Sequence, residues 1–170
     1  ILDDYIEMIV KKIKIHRRMN LVMDCGNATA CVAAPEIFNQ LNVNLKNIYS
    51  DIDPTFPNHH PDPSDEKNLK EIISILKAGQ FDAGLAFDGD ADRIGIIDNE
   101  GNLVFPDQLM ALKLPEILKK GDNIVFDVKC SKTLEDEILR LGGNPIIWKT
   151  GHSFIKQKMK EISCKFAGEM

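Results

Sequence analysis

The chain alternates short apolar runs with amphipathic stretches, and this alternation constrains its fold more than any other feature. The short runs have the length and composition of buried strands: residues 21–25, 47–50, 81–87, 94–97 and 103–104. Helical spacing fills the gaps between the first three. The first helix is expected over residues 29–41, where Pro35 either starts the regular part or bends it. The second helix is expected to be capped by Ser64 or Asp65 and to stop at Gly79. Two strand–helix steps followed by a hairpin predict a mixed, mainly parallel sheet with helices on both faces.

The same alternation starts again after residue 104. Three further helical stretches are predicted at residues 108–118, 134–141 and 154–161, with strands at residues 124–128, 145–148 and 164–167. We therefore predict an α/β protein of two consecutive α/β domains, residues 1–103 and 104–170. Each domain is expected to have a mixed, mainly parallel sheet with helices on both faces.

Charge and cysteine content exclude several classes of function. The net charge is −5, and no basic stripe is present that could release counterions from a nucleic acid. The apolar runs are too short to span a membrane, and the first residues do not read as a signal peptide. The four cysteines have no CxxC spacing, which predicts reduced, mostly buried thiols in a cytoplasmic protein. Neither a nucleic acid nor a membrane is expected as a partner.

Three aspartates and an arginine stand between two predicted strands, in the stretch AFDGDADRIG (residues 86–95). Alternate side chains of an extended loop point the same way, so Asp88, Asp90 and Asp92 can converge. Two carboxylates about 4 Å apart repel by roughly 4 kcal/mol at an effective dielectric of 20, so three of them need a counter-charge. A hard divalent cation, Mg²⁺ or Ca²⁺, supplies it. Arg93 then offers a planar fork for an anion such as phosphate.

Other interpretations of this stretch fit its residues less well. An EF-hand loop counted from Asp88 needs Gly at the sixth position and Glu at the twelfth, where this chain has Arg93 and Asn99. A phosphatase of the haloacid-dehalogenase type starts D-x-D-x-[TV], but Asp92 occupies the place of the Thr or Val. A solvated acidic turn is the plainest alternative, and the apolar flanks and Arg93 argue against it.

Two polar groups outside this stretch are expected to have structural roles. Asp24 and Asn27 end the first predicted strand and should fix a turn. His59 and His60 lie in a proline-rich segment, residues 51–65, where adjacent side chains point apart. We expect these histidines to shape the loop rather than to bind a transition metal.

Several motifs resemble those of one known family. DGDADR (residues 88–93) is similar to the metal-binding loop of the α-D-phosphohexomutases, and further motifs follow in family order: DCGN, FPNHHPDP, FDVKCS, WKTGHSFIKQKMKE and AGEM. The match is closest to the bacterial phosphomannomutase/phosphoglucomutase branch. Members of this family have four domains around a central cleft. The resemblance implies that the chain is a fragment, with the second domain at about residues 1–103 and most of the third after it.

The resemblance also implies roles for individual residues. It implies that Asp88, Asp90 and Asp92 hold Mg²⁺ against a phosphoserine of a missing domain. Catalytic roles are implied for Arg93, beside the metal, and for Lys129. Substrate contacts are implied for Lys129, His152 and Glu169, of which Glu169 begins a sugar-binding loop. Ala28 departs from the family pattern, since many members have Gly there.

The function implied is interconversion of hexose 6-phosphate and hexose 1-phosphate, with mannose or glucose as the sugar and a bisphosphate intermediate. The missing first and fourth domains of the same chain would be partners, and the fragment alone is expected to be inactive. A fragment of a phosphoglucosamine mutase is an alternative, although Met170 argues against it because that branch usually has Gln there. A non-catalytic module that binds a divalent cation or phosphate is another, since no nucleophile motif is present.

Overall fold

The computed structural model describes residues 1–170, which divide into two compact units, Ile1–Leu103 and Val104–Met170. The first unit contains a sheet of five strands in the order β2-β1-β3-β4-β5. Its elements are α1 (Leu2–Lys12), β1 (Met19–Asp24), α2 (Ala34–Asn39), β2 (Val43–Ile48), α3 (Lys70–Lys77), β3 (Ala83–Phe87), β4 (Ile94–Asp98) and β5 (Leu103–Val104). Strand β1 pairs in parallel with β2 and β3, and β3 pairs antiparallel with β4.

Both faces of this first sheet are covered. Successive side chains of β1 point to opposite faces, so Val22 and Met23 enter different cores. Val22 packs with Ile72 and Leu76 of α3, and all three are fully buried. Met23 packs on the other face, in a cluster that includes Phe38 of α2.

Two predicted helices of the first unit have more complex starts than the sequence indicates. The stretch predicted as one helix over residues 29–41 is a 3-10 turn, Thr29–Val32, followed by α2 with Pro35 in its first turn. Proline can start the regular helix there because the N–H groups of a first turn have no acceptor within the helix, so the missing N–H of proline costs no hydrogen bond. The helix before β3 also opens with a 3-10 turn, and Asp65 caps it by accepting a hydrogen bond from the backbone of Lys67.

The second unit contains a three-stranded sheet in the order β7-β6-β8. Its elements are α4 (Pro106–Ile117), β6 (Asn123–Asp127), α5 (Lys132–Arg140), β7 (Asn144–Trp148), α6 (His152–Glu161) and β8 (Phe166–Gly168). Both pairings of β6 are parallel. Phe126 packs with side chains of α4 and α5 on one face, and Val125 packs with Ile155 of α6 on the other.

The predicted α/β class with helices on both faces of the sheets is confirmed, and the second sheet is parallel throughout. Parallel strands place their carboxyl ends at one edge of each sheet, and the loops that follow those ends carry most of the candidate site residues. None of the helices has the length and apolar character needed to cross a membrane.

Candidate functional site

The aspartate loop connects the central strand β3 to β4 as a closed turn. The backbone N–H of Asp88 donates to the carbonyl of Arg93 at 3.2 Å, and that of Ala91 donates to the carbonyl of Asp88 at 3.2 Å. Ala91 has a left-handed backbone, with φ of 61°. For a residue with a Cβ this conformation costs about 1–2 kcal/mol, so the rest of the loop must hold it in place.

Asp88 is the buried member of the aspartate set, and Arg93 satisfies both of its oxygens. Its Oδ1 accepts the backbone N–H of Arg93 at 3.1 Å, and its Oδ2 accepts Nε–H at 2.9 Å. Burial raises the pKa of Asp88, but the hydrogen bonds and charge of Arg93 outweigh that effect and lower it. The carboxylate is therefore anionic in the folded chain although it is 3% exposed.

The other two carboxylates of the set are exposed and close to Asp88. One oxygen from each of Asp88, Asp90 and Asp92 lies within 4.8 Å of the others. The negative charge of Asp90 is the main cause that raises the pKa of Asp92. Carboxylate oxygens are ligands that hard divalent cations such as Mg²⁺ prefer, and a cation would relieve this repulsion. These residues therefore fit a hard divalent cation.

The proline-rich segment, residues 51–65, packs against the aspartate loop. A Cβ added at Gly89 would lie 3.6 Å from Pro61 Cγ, and one added at Gly95 would lie 2.8 Å from Pro63 Cβ. The carboxylate of Asp62 lies 3.6 Å from the guanidinium of Arg93. The prolines and Asp62 thus restrict the loop and its arginine from one side.

The buried Asp24 and the partly buried His59 form a pair that anchors this segment to the end of β1. His59 Nε2 lies 3.0 Å from Oδ2 of Asp24, and Nδ1 lies 2.9 Å from the carbonyl oxygen of His60. Both neighbours are acceptors, so the doubly protonated imidazole is the form that satisfies both contacts. The hydrogen bond to Asp24 is the main cause that raises the pKa of His59.

Asp24 and Asn27 fix the turn after β1, as the sequence predicts. Asp24 Oδ1 accepts the backbone N–H of Gly26 at 2.8 Å. The Asn27 side chain donates to the carbonyl of Asp51 and accepts from the side chain of Asn58. His59 shapes the loop, but its buried aspartate partner was not foreseen. An acidic residue that closes an apolar run, as Asp24 does, indicates a buried carboxylate that needs a partner, but it does not indicate which residue supplies that partner.

In the second unit, Lys129 lies in the loop after β6, where its ammonium group contacts two neighbours. Nζ lies 3.4 Å from Oδ2 of Asp127, and it also donates to the carbonyl oxygen of Met170. Met170 directly follows Glu169 in the chain, so Lys129 is next to the segment that carries this predicted sugar contact. The structure therefore places Lys129 beside the residues that directly follow β8.

His152 is the exposed first residue of α6 and follows the loop after β7. That loop is joined to β6 by Thr150, whose hydroxyl donates to Asp127 Oδ2 at 3.1 Å. Asp127 is fully buried, and sequence analysis gave it no role. Burial, and then the carboxylate of Asp127, raise the pKa of the Cys130 thiol to about 12, so this cysteine is a neutral hydrogen-bond donor.

Comparison with family models accounts for nearly the whole chain. Residues 3–101 match phosphoglucomutase/phosphomannomutase, alpha/beta/alpha domain II, and residues 105–170 match domain III of the same description. A phosphomannomutase/phosphoglucomutase of Pseudomonas aeruginosa is 45% identical over an alignment of 172 positions that covers all of this chain and 37% of that protein. A phosphoglucomutase of Neisseria meningitidis is 43% identical over 98% of this chain and 37% of its own length.

Solved structures agree with this assignment. A phosphoglucomutase/phosphomannomutase family protein from Burkholderia thailandensis superposes with a TM-score of 0.93 at 43% identity, over 99% of this chain and 37% of that one. A Thermus thermophilus structure at 22% identity and a TM-score of 0.83 shares the fold. The chain spans 37% of the length of these curated relatives. Together these matches confirm the resemblance found in the sequence: the chain belongs to the phosphoglucomutase/phosphomannomutase family.

Proposed function

We propose that this chain is the second domain and most of the third of a phosphohexomutase that interconverts hexose 6-phosphate and hexose 1-phosphate, with mannose or glucose as the sugar. The observation that carries the proposal is the aspartate loop, in which three carboxylate oxygens lie within 4.8 Å of one another beside an arginine. The names of the relatives support the same reaction class. A phosphoserine outside this chain would carry the phosphoryl group.

The proposed roles follow the chemistry of each group. Asp88, Asp90 and Asp92 would hold Mg²⁺, which would neutralise charge on the transferred phosphoryl group when bound. Arg93 presents a planar set of donors suited to phosphate oxygens. Its pairing with Asp88 keeps the guanidinium beside the cation position before substrate arrives.

Lys129, His152 and Glu169 are the proposed substrate contacts in the second unit. Lys129 is half-exposed, and its ammonium group is suited to a phosphate or a sugar hydroxyl. His152 stands at the amino end of α6, where the helix dipole favours an anion. A cytoplasmic location belongs to the same proposal and rests on the four free cysteines.

Cation binding tests the aspartate loop in the chain as it stands. Mn²⁺ titrated into the protein should broaden the amide resonances of residues 87–94 first, because a paramagnetic ion acts over short distances. Asp90→Asn should weaken that binding roughly tenfold, since Asp90 is exposed and its loss removes one charged ligand. Asp136→Asn is the matched control, because Asp136 is an exposed aspartate on α5. Uniform broadening over all acidic surfaces would contradict the site.

The reaction itself is tested in a chimera. Residues 1–170 replace the matching segment of the Pseudomonas aeruginosa relative, which supplies the rest of the molecule. The chimera should convert glucose 1-phosphate and mannose 1-phosphate to the 6-phosphates, and Asp90→Asn should abolish most of the rate. A folded chimera that binds Mn²⁺ but shows no turnover would overturn the proposed function.

A further inference from the structure

Asp127 is a fully buried carboxylate at the carboxyl end of β6, the central strand of the second sheet. A carboxylate without access to water is retained only where donors surround it, because its desolvation is costly. Three hydrogen-bond donors and the ammonium group of Lys129 do so here. They come from two different loops, so the arrangement extends beyond the local turn that follows the strand.

One oxygen of Asp127 holds the loop after β6. Oδ1 accepts the backbone N–H of Lys129 at 3.2 Å and the thiol of Cys130 at 3.4 Å. These contacts fix the direction in which Lys129 leaves the sheet. An aspartate whose only role is to form the turn would make the same contacts, so they do not by themselves indicate a wider role.

The other oxygen of Asp127 joins that loop to a second one. Oδ2 accepts the hydroxyl of Thr150 at 3.1 Å and lies 3.4 Å from Nζ of Lys129. Thr150 belongs to the loop between β7 and α6, two residues before His152. A single buried oxygen therefore faces the side chain of Lys129 and the loop that carries His152.

We infer that Asp127 is a positioning residue that holds Lys129 and the Thr150 loop in one arrangement toward the substrate, an inference that rests on the proposed function. Asp127 has no exposed surface with which to touch a substrate, so it acts through Lys129 and Thr150. Its negative charge orients the ammonium group, and its hydrogen bonds to the backbone N–H of Lys129 and the hydroxyl of Thr150 tie both loops to β6. Substrate contacts from two loops are thereby set before binding, which lowers the entropy lost on binding.

The coupling between the two loops is measurable in the 170-residue chain without any ligand. Thr150→Val removes one hydroxyl donor, and it should shift the amide resonance of Lys129 because both groups share the carboxylate of Asp127. Thr150→Ser keeps the donor and should leave that resonance close to its original position. In an Asp127→Ala background, where no side-chain acceptor remains at this position, the Val and Ser variants should give the same Lys129 resonance. If Thr150→Val leaves the Lys129 amide unchanged, the two loops are not coupled and the inference is wrong.

The chimera with the Pseudomonas aeruginosa relative tests whether this coupling serves substrate. Asp127→Asn and Lys129→Met should each lower kcat/KM for glucose 1-phosphate by roughly tenfold or more. The double variant Asp127→Asn with Lys129→Met should be no slower than the double variant Lys129→Met with Thr150→Val. The reason is that Asp127 acts through the side chains of Lys129 and Thr150. Thr150→Ser should recover most of the rate that Thr150→Val loses.

The opposite result is that the losses of kcat/KM from Asp127→Asn and Lys129→Met add in the double variant while Mn²⁺ still binds the aspartate loop unchanged. That result would show that Asp127 serves stability alone and would overturn the inference. If Asp127→Asn does not fold, the Thr150 pair still decides, since each of those variants changes at most one hydrogen bond. A chimera without turnover would count against the proposed function, whereas the amide experiment in the isolated chain would still decide the coupling.

Discussion

Gly26→Ala is expected to destabilise the first unit more than Gly79→Ala, and the difference measures the packing of the proline-rich segment on the end of β1. Both glycines have a left-handed backbone, with φ of 56° at Gly26 and 78° at Gly79. An alanine in this conformation costs about 1–2 kcal/mol, and the reduced freedom of the unfolded chain returns about 0.4–1 kcal/mol. Gly79→Ala should therefore lower the free energy of unfolding by at most about 1.6 kcal/mol.

The surroundings of the two positions differ. A Cβ at Gly26 would lie 2.9 Å from Pro61 Cβ and 3.4 Å from Pro61 Cα, whereas a Cβ at Gly79 would have no atom within 4 Å. Overpacking of this kind costs about 1–3 kcal/mol, which should be the extra loss at Gly26. Pro61 also packs near Gly89, so the shift at Gly26 should weaken Mn²⁺ binding to the aspartate loop as well.

Urea unfolding followed through the amide resonances of β1 and β3 is the appropriate assay for both variants. Tryptophan fluorescence is unsuitable, because Trp148, the chain's one tryptophan, belongs to the second unit. Equal losses of stability for the two variants would refute the reasoning, since the backbone cost is common to both. A Gly26→Ala protein that is destabilised as expected but binds Mn²⁺ with unchanged affinity would refute the proposed link between Gly26 and the aspartate loop.

The remaining predictions concern His59, the first core and the activity of the chain alone. The stabilising contribution of His59 should be complete below the unfolded pKa of about 6.5 and should be lost as the pH rises through the higher folded pKa. His59→Gln should therefore lower stability to urea more at pH 6 than at pH 8, and a pH-independent difference would contradict this. Leu76→Ala, in the fully buried face of α3, should cost about 2–5 kcal/mol of unfolding free energy, whereas Leu112→Ala on the exposed face of α4 should change it by about 0.5 kcal/mol or less. The 170-residue chain should not turn over glucose 1-phosphate or mannose 1-phosphate with Mg²⁺ and a bisphosphate activator, and turnover that Asp90→Asn abolishes would place the nucleophile among these aspartates.

The order of strands and helices was predictable because each element carries its own periodicity. Residues 81–87 and 124–128 are apolar runs of strand length; β3 lies within the first, and β6 begins one residue before the second. The edge strand β2 was predicted too late, at residues 47–50, although its sequence VNLKNI alternates with the period of a half-buried strand. This alternation could have indicated the correct position of β2.

The contacts of Asp24 and Asp127 depend on tertiary placement and were beyond the reach of local patterns. His59 reaches Asp24 because the proline-rich segment folds back over the end of β1, and Thr150 reaches Asp127 because β6 and β7 are neighbours in the second sheet. Periodicity describes one element at a time and does not indicate which loop returns to which strand. The aspartate loop was easier to identify because its carboxylates are adjacent in the sequence.

The parallel pairings described above also bear on the order in which the two units fold. In the first sheet β1 pairs Leu21 with Ala83, whereas in the second sheet β6 pairs Ile124 with Phe166, which is a shorter separation along the chain. Folding slows as contacts become less local, because the entropy of closing the intervening loop is lost before the contact forms. The unit Val104–Met170 should therefore reach its native core first during refolding. Recovery of Trp148 fluorescence on β7 should precede the protection of the amide protons of β1 from exchange.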